Sequence, residues 1–229
     1  MSHSVQVGRD LLSSAGRKRA WMWLAIGVLL SVVALHLIHI QARTGALRAL
    51  DPHLLIVWHR ATPPAFGLFL LGLSRLVTVV VLWPLLGFTS WIFWRKNRVY
   101  DAIGLLCAIT LPAVIALAAK LVYHVPRPQV EWATGSHWSH AFPSGHVALI
   151  MTLGGMTAYF GRREGKSAIW TAIVILITVI ATLLMGYGRV ALGAHFFSDV
   201  VGGLALGIIW LPVSIAITNA LRVTSKPID

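Results

Sequence analysis

Charge is what this chain has least of. Asp, Glu, Lys and Arg together make up 11% of its 229 residues, where a soluble domain carries about 25%. Hydrophobic residues make up 57%, and mean hydropathy is +0.78. That balance excludes an ordinary soluble domain and points to a polytopic membrane protein. The one cysteine, Cys107, excludes an intrachain disulfide. Inside an apolar run it reads as a small core hydrophobe. Acidic residues are scarcer still, seven against nineteen Lys and Arg. The resulting net charge of +12 is no sign of nucleic-acid binding, because basic residues beside apolar spans are first of all topology determinants. No repeat and no low-complexity tract stands out.

What is present is a series of apolar runs near the twenty residues that a helix needs to cross about 30 Å of hydrocarbon. They are Trp21–Ile40, Leu76–Trp94, Ala102–Val122, the shorter His146–Phe160, Ala168–Met185 and Phe196–Ile217. The first is long for a signal peptide and has no Ala-x-Ala-like cleavage site. The expectation is an all-α protein with six transmembrane helices packed as a bundle. Residues 1–20 form a basic tail, 21–219 the membrane domain and 220–229 a second tail. Residues 41–75 form a long first outer segment, in which Ala65–Leu73 reads as an interfacial or re-entrant helix feeding the second span. Arg75 behind it reads as a contact for lipid phosphates or a snorkelling anchor. Gly203-x-x-x-Gly207 in the last span allows another helix to come close.

Twelve of the nineteen basic residues lie at one set of span ends: Arg9, Arg17, Lys18, Arg19, Arg95, Lys96, Arg98, Arg162, Arg163, Lys166, Arg222 and Lys226. The positive-inside rule places those ends, and both termini, in the cytoplasm. Three polar segments then share the outer side. They are Lys120-x6-Arg127-Pro128, Pro143-Ser144-Gly145-His146 and Gly188-Arg189-x5-His195-x3-Asp199.

Charges near a bilayer are expensive, so their concentration here points to function. Three cations can neutralise the oxygens of a transferring phosphoryl group, and arginine adds a planar fork that fits them. Pro126 and Pro128 hold Arg127 in stiff, extended backbone. Ser144 can donate its hydroxyl, and Gly145 lets a backbone N–H approach an anion. His195 and Asp199 are four apart, so on a helix they share a face. The carboxylate can then hold Nδ1–H and leave Nε2 free to attack. His146 is placed to protonate a leaving oxygen and then to deprotonate water. Taken singly, each motif residue reads more readily as a solvated loop charge or an interface anchor, and the His195–Asp199 pair equally well as a satisfied polar pair; jointly they do not.

The three segments resemble the signature motifs of the type 2 phosphatidic acid phosphatase superfamily, K-x6-RP, PSGH and SR-x5-H-x3-D. That superfamily includes integral membrane lipid phosphatases and soluble vanadium haloperoxidases. The match spans Lys120–Asp199, inside a motif core of about 101–219 and a surrounding core of about 65–219. The resemblance implies that His195 is a nucleophile forming a phosphohistidine, Asp199 its orienting partner, and His146 the acid and then the base. Lys120, Arg127, Ser144, Gly145 and Arg189 bind the phosphate. It implies no metal and no cofactor. One position departs from the pattern: Gly188 stands where the third motif has serine, with a local packing change as the expected consequence.

The functional expectation is a membrane hydrolase acting on a lipid phosphate or diphosphate at the outer face of the cell membrane. Candidate substrates include undecaprenyl pyrophosphate, phosphatidylglycerophosphate and lipid A. The expected partners are the lipid substrate and membrane lipids, with no nucleic acid and no obligatory protein. A lipid-to-lipid phosphotransferase would share every motif. A serine protease built on Ser144 would leave the three cations without a task, and an anion permease would make the His195–Asp199 pair incidental. A zinc site at His137, His140, His146 and His195 lacks the helical His-Glu-x-x-His pattern and sits among cations. The loop Glu131–Ala141, with Trp132, His137, Trp138 and His140, reads as a headgroup contact or as interfacial anchors. His36, His39 and His124 read as interfacial or structural.

Overall fold

Apolar backbone in lipid has no hydrogen-bond partner but itself, so runs of this kind fold as helices. The computed structural model describes residues 14–77, 86–134 and 139–223. Its described residues form eight helices: α1 (Ser14–Thr44), α2 (Leu47–Ala61), α3 (Pro64–Leu76), α4 (Leu86–Arg95), α5 (Val99–Tyr123), α6 (Gly145–Arg163), α7 (Ala168–Ala191) and α8 (Phe197–Val223).

Four of them, α1, α5, α7 and α8, are long and apolar enough to cross a membrane. The pair α2–α3 adds a fifth span if its two arms, bent by 115° at Thr62 and Pro63, are counted together. Large apolar side chains on α1 and α7 face outward, among them Leu29, Leu37, Ile169, Leu176 and Leu183. An exposed apolar belt of that extent belongs against lipid. The protein is a multi-pass, all-helical membrane protein.

One expected span falls partly outside the described residues, and two helices differ from the sequence pattern. The expected span Leu76–Trp94 falls partly on residues 78–85, which lie outside the described residues; on either side of them α3 ends at Leu76 and α4 begins at Leu86. The helix expected at His146–Phe160 exists as α6 but is not among the long apolar ones. It packs against α5, α7 and α8, and a helix enclosed by others need not be apolar all round. Finally, residues 47–61 form a helix that the sequence pattern did not announce, because Asp51, Pro52 and His53 interrupt its apolar face.

The core runs along the seam of α1, α5, α6 and α8. Trp210 of α8 is fully buried, and its Nε1–H donates to Ser31 Oγ of α1 at 3.0 Å. Gly203 and Gly207 serve packing inside the chain. A Cβ on Gly203 would lie 2.2 Å from the carbonyl oxygen of Ser144, and one on Gly207 would press on Met151. Gly203 therefore lets the turn before α6 rest on α8, where the Ser144 N–H donates to the carbonyl of Asp199 at 2.9 Å.

The two ends of the bundle differ in chemistry. At one end the C-terminus of α5 meets the start of α6, the end of α7 and the start of α8, which gathers the three motif segments. At the other, Asp101 of α5 is fully buried among three arginines. Arg98 Nε donates to it at 2.7 Å and Arg163 Nη1 at 3.0 Å; Arg222 also pairs with it, and Arg98 with Glu164.

Candidate active site

Each motif residue is placed by the end of a helix or by the turn beside it. Lys120 sits in the last turn of α5, and Nζ donates to the carbonyls of His140 and Ala141 at 2.7 and 2.9 Å. Residues 124–130 have no regular structure, as the two prolines around Arg127 require. Arg127 Nε donates to the Ser139 carbonyl and Nη2 to Ser139 Oγ, each at 2.9 Å, and Nη1 donates to the Ala194 carbonyl. Arg189 lies in the last turn of α7 and is 8% exposed.

His195 is not on a helix with Asp199, as the four-residue spacing suggested. It occupies the turn between α7 and α8, where its N–H donates to the Arg189 carbonyl at 3.0 Å. Asp199 lies in the first turn of α8. There its Oδ2 accepts from Phe196 N–H at 2.8 Å and lies 3.3 Å from His195 Nδ1. A carboxylate in a first helical turn also meets the positive end of the helix dipole. The opposite ring nitrogen, His195 Nε2, faces Arg127 Nη1 at 3.4 Å. His195 is 2% exposed. Burial first, and then the charges of Arg189, Arg127 and Lys120, hold its pKa well below the usual histidine value of 6.5. The ring is therefore neutral near pH 7, with Nε2 directed into the cation cluster.

These side chains surround one cavity of about 280 Å³. Lys120, Arg127, Gly145, His146, Arg189 and His195 line its polar part, while Ile109, Pro112, Ala113, Ala148 and Leu149 of α5 and α6 line its apolar part. Six of the eight residues expected at the site thus face one space. Ser144 and Asp199 stand behind them, both fully buried. Among the described residues, Ser144 Oγ and Arg189 Nε have no hydrogen-bond partner. A buried donor left so is costly, and both donors suit an anion. Nothing restricts Gly145, whose missing Cβ would meet open space.

The segment before the motifs also builds the site. Ser74, in the last turn of α3, accepts from Arg189 Nη1 at 2.7 Å, and its backbone hydrogen-bonds His146. Asp51 of α2 accepts from Ser198 N–H and Oγ–H at 2.8 and 2.7 Å. Thr62 meets Tyr187 OH at 2.7 Å. Sequence reasoning missed Asp51, Ser74 and Ser139. For Asp51 a signal was available, since a carboxylate within an apolar run needs a buried partner.

Other expectations resolve one by one. Trp132 stacks on His59 of α2 with ring centroids 4.0 Å apart. His39 stacks on Tyr123 at 4.4 Å, and His124 meets His140 edge-on at 4.7 Å. Arg75 is exposed and does not line the cavity. His137 and Trp138 lie outside the described residues. At Gly188, a Cβ would sit 3.2 Å from Leu70 Cδ2 and 3.3 Å from Leu70 Cβ, so a side chain there would need Leu70 of α3 to give by a few tenths of an ångström.

Comparison with known proteins gives a consistent result. A family model described as the PAP2 superfamily matches residues 101–222. Phosphatidylglycerophosphatase B of Bacillus subtilis (strain 168) is 31% identical over 119 residues, which are 51% of this chain and 57% of that protein. The match thus spans little more than half of the curated relative. Among solved structures, a transmembrane PAP2-type phosphatidylglycerolphosphate phosphatase from Bacillus subtilis superposes with a TM-score of 0.69 at 19% identity, covering 92% of this chain and 99% of that one. Aquifex aeolicus LpxE superposes with a TM-score of 0.58 at 29% identity, covering 72% and 94%.

Proposed function

The chain belongs to the PAP2 superfamily, and from that premise we propose that it hydrolyses a lipid phosphate or diphosphate without a metal, through a phosphohistidine on His195. The observation that carries this reading is the two-part cavity. Its polar end gathers three cations and two histidines, and its other end is an apolar passage between α5 and α6. A phosphate ester of a long-chain lipid has the same two parts.

The steps follow from the geometry. Lys120, Arg127 and Arg189 bind the phosphoryl oxygens, with Ser144 and the Gly145 backbone beside them. His195 Nε2 attacks phosphorus, and the bond from phosphorus to the lipid oxygen breaks. A proton from His146 goes to that leaving oxygen. Asp199 steadies the ring as it becomes cationic. Water then attacks the phosphohistidine and gives its proton to His146, and the P–Nε2 bond breaks. Inorganic phosphate leaves and His195 is restored.

Six spans with both termini in the cytoplasm accompany this reading, with 1–20 and 220–229 as tails and 21–219 as the membrane domain. The distribution of basic residues favours a cell-membrane location with the site on the outer face. The phosphatidylglycerophosphatase names among the relatives favour a glycerophospholipid phosphate. An isoprenoid carrier diphosphate, such as undecaprenyl pyrophosphate, suits a site facing outward. The experiment is phosphate release by detergent-purified protein from a panel of these lipids, with EDTA present, beside His195→Ala. Release that survives EDTA and vanishes in the variant supports the reading. Release that persists in the variant removes His195 as nucleophile. No release from any donor, unless a lipid acceptor is added, makes the protein a phosphotransferase.

A further inference from the structure

We propose that Ser74, which lies outside the three motifs, is a positioning residue that holds Arg189 through its hydroxyl and His146 through its backbone. The inference rests on the phosphate-binding reading of the cavity and adds a residue to it.

Three observations combine. Ser74 is 4% exposed, so its hydroxyl has no bulk solvent to satisfy it. Its Oγ accepts from Arg189 Nη1 at 2.7 Å, within the range of a charge-assisted hydrogen bond. Its backbone hydrogen-bonds the imidazole of His146. Only the carbonyl oxygen of that peptide can accept from a ring N–H, so a proton stays on the nitrogen facing α3. The opposite nitrogen is left to give and take the transferred proton. One residue of α3 thereby fixes two side chains that come from different motifs and different helices.

Gly188 eases the close approach of α3. Leu70 and Ser74 are one turn apart on α3 and share a face. Leu70 packs closely on Gly188, 3.2 to 3.3 Å from where a Cβ there would stand, and Arg189 follows directly in the sequence. The departure from the family pattern at 188 and the Ser74–Arg189 contact are thus parts of one arrangement. Arginine binds an anion well only when its fork is held in place, and here Ser74 is the side chain that holds it.

The test is a mutant cycle. Ser74→Ala removes the hydroxyl and leaves the carbonyl for His146. It should lower kcat/KM for phosphate release about tenfold and weaken competitive inhibition by inorganic phosphate by a similar factor. In an Arg189→Lys background the same change should cost less than about twofold, because the partner fork is already gone. Ser74→Thr, which keeps the hydroxyl, should retain inhibition by phosphate within about threefold of wild type. It carries the test if Ser74→Ala fails to fold. Wild-type behaviour of Ser74→Ala, full additivity with Arg189→Lys, or lost phosphate inhibition in folded Ser74→Thr overturns the inference. Wild type and His195→Ala are assayed alongside. If those two are equally active, the phosphohistidine reading has failed; if only His195→Ala is dead while Ser74→Ala is normal, the role of Ser74 alone has failed.

Discussion

Asp51 accepts two hydrogen bonds from Ser198, one from its backbone N–H at 2.8 Å and one from its hydroxyl at 2.7 Å. The residues are 147 apart in sequence, and Ser198 adjoins Asp199. Through this pair α2 clamps the first turn of α8, which sets where the Asp199 carboxylate meets His195.

That clamp can be broken without touching the cavity. Asp51→Ala leaves two buried donors of Ser198 unpaired, at a cost of roughly 2 kcal/mol. The variant should melt earlier in detergent. It should also lose kcat more than it raises KM, since the fault lies in the alignment of the His195–Asp199 pair. An unchanged melting temperature together with unchanged kcat would show that the start of α8 holds itself in place.

The pH profile follows from the sign of the His195 shift. Attack needs the neutral ring. Burial, and then the Arg189, Arg127 and Lys120 charges, lower its pKa, so protonation sets in only at a pH well below 6.5. The acid limb of kcat/KM should therefore fall below the ordinary histidine range. An acid limb centred at or above pH 6.5, with chemistry rate-limiting, would contradict the buried, cation-flanked setting of His195.

At the far end of α5, Asp101 is fully buried against Arg98, Arg163 and Arg222. It ties together the start of α5, the end of α6 and the end of α8. Removing one partner of a buried ionic cluster costs about 3–5 kcal/mol. Asp101→Ala should therefore be among the most destabilising single changes in the bundle. It stands nineteen residues from Lys120, about 28 Å along the helix, so the folded fraction should keep its KM. A raised KM in that fraction would reveal coupling between the two ends.

The motif residues were legible because their chemistry depends on local spacing: Lys120 with Arg127, and Arg189 with His195 and Asp199, each sit at a helix end and its adjoining turn. The apolar runs were legible because lipid demands them. Asp51, Ser74 and Ser139 were not, since each acts across the tertiary structure on a residue from another segment. A single serine in an apolar helix such as α3 carries no pattern of its own. Helix α2 stayed hidden because Asp51, which interrupts its apolar run, is the residue buried against Ser198 of α8. The low apolarity of α6 likewise reflects what surrounds it, and no run of its own sequence reveals that.

Topology can be read with the chain's own cysteine economy. Cys107 is the only thiol, so Cys107→Ala gives a background without cysteine. Glu131 and Lys166 are both exposed. Glu131 lies in the loop that carries Arg127, and Lys166 lies between α6 and α7 at the Asp101 end. In intact cells a membrane-impermeant maleimide should label Glu131→Cys and spare Lys166→Cys, and permeabilisation should make the second reactive. That pattern puts the cation cluster on the outer face, where a lipid phosphate in the outer leaflet can reach it. The opposite pattern would turn the protein over in the membrane. The same chemistry would then act on a lipid of the inner leaflet, and the basic excess at the Asp101 end would face outward against the positive-inside rule.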